Sequence, residues 1–122
     1  ELEPLSLPQY PAEKEIAAAL EKEGAELLKC AKGFCIAMCI EGKQLDSPGL
    51  AKKLEQAAQG GDSGAVTFLI GSSYGLSDAV KQRANLRLSM SAMTFPHQLA
   101  RVMLLEQIYR SYQILSGTKY HK

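Results

Sequence analysis

The chain has almost no surplus charge. Fourteen Lys and Arg stand against thirteen Asp and Glu, a net charge of +1 over 122 residues. The two signs are interleaved, so there is no basic tract to neutralise nucleic-acid phosphates, and any RNA contact must be local. Long apolar runs are missing too: none approaches the ~20 residues that span a bilayer, and no secretory leader pattern opens the sequence. A soluble, cytoplasmic chain with no membrane partner is expected. Cysteine is scarce: Cys30, Cys35 and Cys39 are odd in number and contain no C-x-x-C pair. That pattern predicts reduced, buried structural thiols, and zinc would need better-spaced ligands, so no metal is expected. Internal repeats and low-complexity segments are absent. The chain opens on Glu1 and falls directly into Glu1-Leu2-Glu3-Pro4-Leu5-Ser6-Leu7-Pro8, which alternates like a strand already under way.

What is present is an alternation of two periodicities. The length fits one domain, residues 1–122. From Ala12 to Lys32, Ile16, Ala19, Leu20, Leu27, Leu28 and Ala31 recur at helical spacing, and a helix ending near Gly33 is expected. Phe34-Cys35-Ile36-Ala37-Met38-Cys39-Ile40 is apolar almost throughout, as a strand covered on both faces would be, and a turn is expected at Glu41-Gly42-Lys43. Ser47 before Pro48 reads as an N-cap followed by proline in the first helical turn. Leu50, Ala51, Leu54, Ala57 and Ala58 then form an apolar stripe that Gly60-Gly61 stops. Ala65 to Ile70 predicts a second buried strand, Ser77-Asp78 the start of a short helix, and Leu86 to Met90 a third short strand. With the opening segment, the order is strand and helix alternating four times. This predicts an α/β fold with a mainly parallel sheet and flanking helices, which binds ligands outside the carboxyl ends of its strands. The loops after Ile70 and after Met90 both lie at such ends.

The last helix is expected from about Phe95 to Ser116, with Thr94 as its cap, Pro96 in its first turn and Gly117 beyond its end. At 100° per residue Val102, Leu104, Leu105, Ile108, Tyr109, Tyr112 and Leu115 make one broad face, and Leu99, Met103 and Ile114 lie on another. One sheet covers only one of these faces. A homodimer partner is the natural cover for the rest, the alternative being a central helix enclosed within its own domain.

Several segments carry a family resemblance. Leu69-Ile70-Gly71-Ser72-Ser73-Tyr74-Gly75-Leu76, the run Leu88-Ser89-Met90-Ser91-Ala92-Met93-Thr94-Phe95-Pro96-His97, and Arg101-Val102 with Glu106-Gln107-Ile108-Tyr109-Arg110 resemble the RlmH family of ribosomal RNA large-subunit methyltransferases. Ile40-Glu41-Gly42-Lys43 and the terminal Tyr120-His121-Lys122 fit the same pattern. The resemblance covers essentially the whole chain but starts inside the family pattern, without the family's first strand and helix. It implies a SPOUT-type fold with a carboxyl-terminal trefoil knot around S-adenosyl-L-methionine, and a homodimer. The knot comes from the resemblance alone, since ordinary chain topology argues against one. The implied reaction is methyl transfer to N3 of a pseudouridine in a large-subunit rRNA stem-loop on the assembled ribosome. The alternatives are another SPOUT RNA methyltransferase, or a truncated, non-catalytic module that dimerises and docks on the ribosome.

By position in the matched motifs, the cofactor contacts are Met38, Gly71 and the loop Met90, Ser91, Ala92, Met93, Thr94 and Phe95. Glycine at 71 lets backbone approach a ligand, and the loop can offer amides and carbonyls to an adenine edge. Where the family commonly has two consecutive glycines this chain has Gly71-Ser72, a departure expected to be tolerated. The acceptor nitrogen must lose a proton, so candidate catalytic residues are Arg101, Glu106, Arg110 and His121: arginine to hold phosphate or the deprotonated base, Glu106 or His121 to take the proton. Glu106 and Arg110, four apart, read equally well as a helical ion pair. His97, at a helix start, reads as an orienting or structural residue. Tyr120, by stacking on a base, and Lys122 are the candidate RNA contacts.

Overall fold

The computed structural model describes residues 13–60, 64–71 and 75–117. Along them run α1 (Glu13–Cys30), β1 (Phe34–Gln44), α2 (Ser47–Gln59), β2 (Val66–Leu69), α3 (Asp78–Arg83), β3 (Leu86–Ser89) and α4 (His97–Leu115). The strand expected at the very start of the chain lies outside the described residues. The three strands form one parallel sheet in the order β2-β1-β3, so the α/β architecture with a parallel sheet and flanking helices is as the sequence predicts.

Central β1 explains why its sequence is apolar on both sides. Cys35 and Ala37 point into a cluster with Leu69, Leu76 and Val80, packed under Leu27, Leu28 and Ala31 at the end of α1. Ile36 points the other way, onto Leu50 and Leu54 of α2 and Leu88 of β3, with Met38 at the margin. Each fully buried aliphatic side chain in these two layers contributes about 1.5–3 kcal/mol. On its outer side α2 packs against α4.

β1 does not turn at Glu41-Gly42-Lys43; it continues to Gln44. Ile36 to Met38 pair with Leu86 to Leu88, and the ladder resumes with Lys43 and Gln44 opposite Leu88 and Ser89 after a shift of register. The turn-like composition marks this slip. A Cβ on Gly42 would lie 2.7 Å from the Arg87 carbonyl carbon and 2.8 Å from Leu88 N, so only glycine lets the strand pass so close to β3.

Two caps differ from expectation. The N-cap of α2 is Asp46, whose Oδ1 accepts from Gly49 N at 2.7 Å; Ser47 is already helical, and its hydroxyl donates to Gln107 Oε1 of α4 at 2.6 Å. Helix α4 starts at His97 behind Pro96, not behind Thr94, and has no side-chain cap bond. Proline disfavours helical backbone in the residue before it, which keeps Phe95 out of the helix. Ser77 caps α3 as expected, accepting from Val80 N. Helix α1 ends at Cys30, slightly before the expected end, and leaves that thiol exposed; Cys35 is buried and Cys39 half-buried, so the expectation of three buried thiols fails at Cys30.

The predicted division of α4 also changes. Leu104 and Ser111 are buried, Ser111 satisfying its hydroxyl on Gln107 O at 2.8 Å, whereas Leu99, Val102, Leu105, Tyr109 and Tyr112 form an exposed stripe. Leu104 thus belongs to the inward face, and Leu99 joins the outward one. The packing of α2 against α4 selects a narrower inward line than the sequence wheel suggests.

Candidate active site

Where β2 and β3 hand over to loops beside the second half of β1 lies a cleft of about 630 Å³. Its walls come from Met38, Cys39, Ile40 and Glu41 of β1, from Ile70, Gly71, Gly75 and Leu76 after β2, and from Lys81 of α3. Leu88 and Ser89 of β3, the loop residues Met90, Ser91, Met93, Thr94, Phe95 and Pro96, and Ala100 and Leu104 of α4 complete it. Parallel strands force this convergence, because each crossover returns the next strand in the same direction and stacks the exits at one end.

The loop after β3 is braced by its own serines. Ser89, buried, donates its hydroxyl to Ser91 O at 2.9 Å, and Ser91 Oγ accepts from Met93 N at 3.0 Å. After β2 the backbone packs closely at Gly71: a Cβ there would sit 2.3 Å from Gly75 O and 2.9 Å from Leu76 Cδ2. The described lining is mostly apolar. Its formal charges are those of Glu41 and Lys81, which form an ion pair through Lys81 Nζ and Glu41 Oε1. The hydrogen bond from Lys81 holds the Glu41 carboxyl below its usual range, and the same bond raises the Lys81 ammonium. Burial first, then the Glu41 charge, pushes the Cys39 thiol up, so this third ionisable group stays neutral near pH 7.

Of the expected cofactor contacts, Met38, Gly71, Met90, Ser91, Met93, Thr94 and Phe95 line this cleft, and Ala92, exposed, does not. Arg101, Glu106 and Arg110 lie on α4 and do not line it. Glu106 accepts from Arg110 Nη2 at 2.8 Å, from Arg110 Nε at 3.2 Å and from Gln107 Nε2 at 3.1 Å, which is the helical ion pair geometry. His121, Tyr120 and Lys122 lie outside the described residues. The sequence reading missed Cys39, Ile40, Glu41 and Lys81 as lining residues. Ile40 and Glu41 stood in a segment read as a strand end and turn; Lys81 carried no signal, since a lone lysine on a short helix reads as a solvated residue. Among the described residues no group of three or more His, Cys, Asp or Glu is placed to hold a metal ion, and no helix is long and apolar enough to cross a membrane.

A parallel sheet with a cleft at the exits of its strands is a frame that binds small ligands, and over residues 1–121 the chain matches the family described as "Predicted SPOUT methyltransferase". It belongs to that family of methyltransferases. More narrowly, it is 49% identical over 117 residues to the ribosomal RNA large subunit methyltransferase H of Streptococcus thermophilus (strain ATCC BAA-491 / LMD-9), covering 94% of this chain and 73% of that protein. It is 47% identical over 124 residues to the protein of that name in Clostridioides difficile (strain 630), covering 100% and 77%. A protein named putative ribosomal RNA large subunit methyltransferase H in Methanococcus maripaludis (strain C5 / ATCC BAA-1333) is 47% identical over 117 residues, covering 94% and 73%. The resemblance to the RlmH family read from the motifs is thereby borne out.

Proposed function

We propose that this chain transfers a methyl group from S-adenosylmethionine to N3 of a pseudouridine in a large-subunit rRNA stem-loop, working in the cytoplasm on the assembled ribosome. One observation carries the reading: Met38, Gly71 and the loop residues Met90, Ser91, Met93, Thr94 and Phe95, far apart in sequence, meet in a cleft in a chain whose relatives are named as large-subunit rRNA methyltransferases.

The residues present fit the cofactor. A cleft of about 630 Å³ is of the size that small-molecule sites use, roughly 300–1,000 Å³. Met38, Ile70, Leu88 and Phe95 offer apolar walls to a flat purine, and the serine-braced loop offers backbone groups at fixed positions to its edge. Gly71 presents no side chain on a backbone already in contact with Gly75. When bound, the cofactor supplies a methyl group already activated by its positive sulfur. What remains for the chain is to hold the acceptor base, strip water from the cleft and remove the N3 proton. In this reading Arg101 and Arg110 hold phosphate or the developing anionic base. Glu106, which accepts from Arg110 and Gln107, or His121 takes the proton. Tyr120 and Lys122 contact the RNA.

A homodimer belongs to the same proposal. The exposed stripe of Leu99, Val102, Leu105, Tyr109 and Tyr112 is what a two-fold partner would cover, and it follows directly from the cleft residues Pro96 and Ala100. The chain acts as one domain over residues 1–122, with the carboxyl-terminal threading expected of the family. The test is calorimetry with S-adenosylmethionine, together with methyl transfer to assembled ribosomes read by nucleoside mass spectrometry. Cofactor binding and N3-methylpseudouridine are expected. A folded dimer that binds no S-adenosylmethionine overturns the reading, methylation of a different nucleoside moves the chain to another RNA substrate, and binding without transfer leaves a non-catalytic docking module.

A further inference from the structure

The cofactor named above ends in an amino acid, a positive ammonium beside a negative carboxylate. Neither charge can enter an apolar wall without a partner, because desolvating an unpaired ion costs several kcal/mol. Among the described lining residues the cleft offers two charges, Glu41 on β1 and Lys81 on α3, equal and opposite and bonded to each other. The thiol beside them, Cys39, is held neutral.

We propose that the Glu41–Lys81 pair is the seat for the zwitterionic amino-acid end of the cofactor, with Lys81 receiving its carboxylate and Glu41 its ammonium. This rests on the S-adenosylmethionine reading. The pair has capacity to spare: an ammonium has three donors and a carboxylate about four acceptor sites, of which the bond between Nζ and Oε1 uses one each and the Glu41 backbone N–H occupies a further site on the carboxylate. The pair sits at the solvent-facing rim of the cleft. The Lys81 side chain is 24% exposed against 58% for Glu41, so the lysine lies in along the wall of the cleft with its head at the carboxylate. A zwitterion laid against such a pair adds two charge-assisted contacts and leaves the net charge of the site at zero. The seat also sets specificity, favouring adenosyl compounds that carry the amino acid over those that lack it.

The test uses two probes on the whole protein: S-adenosylhomocysteine, which has the amino-acid end, and 5′-methylthioadenosine, which keeps the adenosine and sulfur without it. Calorimetry compares the wild type with Lys81→Met and Glu41→Gln, whose melting curves report the fold. Wild type is expected to prefer S-adenosylhomocysteine. Each variant should lose about tenfold or more for it, as removal of a charge-assisted hydrogen bond implies, and keep its affinity for 5′-methylthioadenosine; Lys81→Arg should retain most of the preference. Equal loss of both probes makes the pair a structural clamp and overturns the proposal, as does no loss of either. A wild type that binds neither probe overturns the cofactor reading itself and the seat with it.

Discussion

Replacing Gly71 by alanine probes the link between fold and cleft most directly. The added Cβ would sit 2.3 Å from Gly75 O, 2.7 Å from Gly75 C and 2.9 Å from Leu76 Cδ2. An ordinary carbon–oxygen contact is about 3.3 Å or more, so the backbone at Gly75 must retreat by about 1 Å. The leucine tip can swing away, but the carbonyl cannot without moving the loop. Leu76 is part of the cluster with Val80, Ala37 and Leu69, so the displacement strains the core as well as the cleft wall. Overpacking of this kind costs about 1–3 kcal/mol, which for a chain of this length lowers Tm by roughly 3–15 °C. A shift of about 1 Å in a wall formed by residues 71, 75 and 76 should weaken S-adenosylmethionine by at least about tenfold, given how steeply positioning depends on such distances. Differential scanning fluorimetry and calorimetry read the two effects. Leu50→Ala separates them: it empties a position in the α2 layer that does not itself line the cleft, destabilises by about 2–5 kcal/mol, and should leave affinity intact below its melting temperature. Wild-type affinity in Gly71→Ala, or equal loss in Leu50→Ala, would refute the reasoning.

Other perturbations follow from single contacts. Asp46→Ala removes the side-chain cap of α2 and should lower stability by about 1 kcal/mol in denaturant titrations, whereas Ser47→Ala should act by loosening the α2–α4 contact through Gln107, so Gln107→Ala on top of it adds little. Thiol labelling should be stepwise. Exposed Cys30 reacts first, half-buried Cys39 reacts slowly until the pH exceeds the ordinary thiol range, because its pKa is raised, and buried Cys35 reacts only on unfolding. S-adenosylhomocysteine should protect Cys39 and leave Cys30 unchanged; the reverse pattern contradicts the placement of the cleft. Val102→Glu with Leu105→Glu, at positions 62% and 60% exposed, should halve the mass seen in sedimentation with little change in circular dichroism. A wild type that sediments as one chain defeats the dimer.

Most of the fold was legible because it is written in short-range periodicity. β1 reads as buried on both faces since residues 34 to 38 alternate into two cores, although Ile40 beyond them is exposed, and α3 starts where Ser77 can cap it. The errors fall where two good local choices compete. Asp46 and Ser47 are equally able caps, and the distant Gln107, which no window of sequence contains, engages the serine. Glu41-Gly42-Lys43 has the composition of a turn but serves a register slip against Arg87 and Leu88. The faces of α4 depend on α2, which packs along one of them. The cleft was legible at its glycine and its serine-rich loop, which are sequence signals of backbone shape. The Glu41–Lys81 pair was not, because it joins residues forty positions apart and neither side chain is unusual on its own element.

The slip in β1 insulates two parts of the molecule from each other. In an unbroken ladder, one inserted residue turns every later side chain to the opposite face. Here the pairing stops at Met38 and starts afresh at Lys43, and Cys39, Ile40 and Glu41, all on the cleft wall, lie between. A change of side chain at Cys39 or Ile40 leaves the pairing on either side, and the close pass of Gly42 against β3, in place. These two positions of the cleft wall can therefore vary without the core of Cys35, Ile36 and Ala37 having to be repacked.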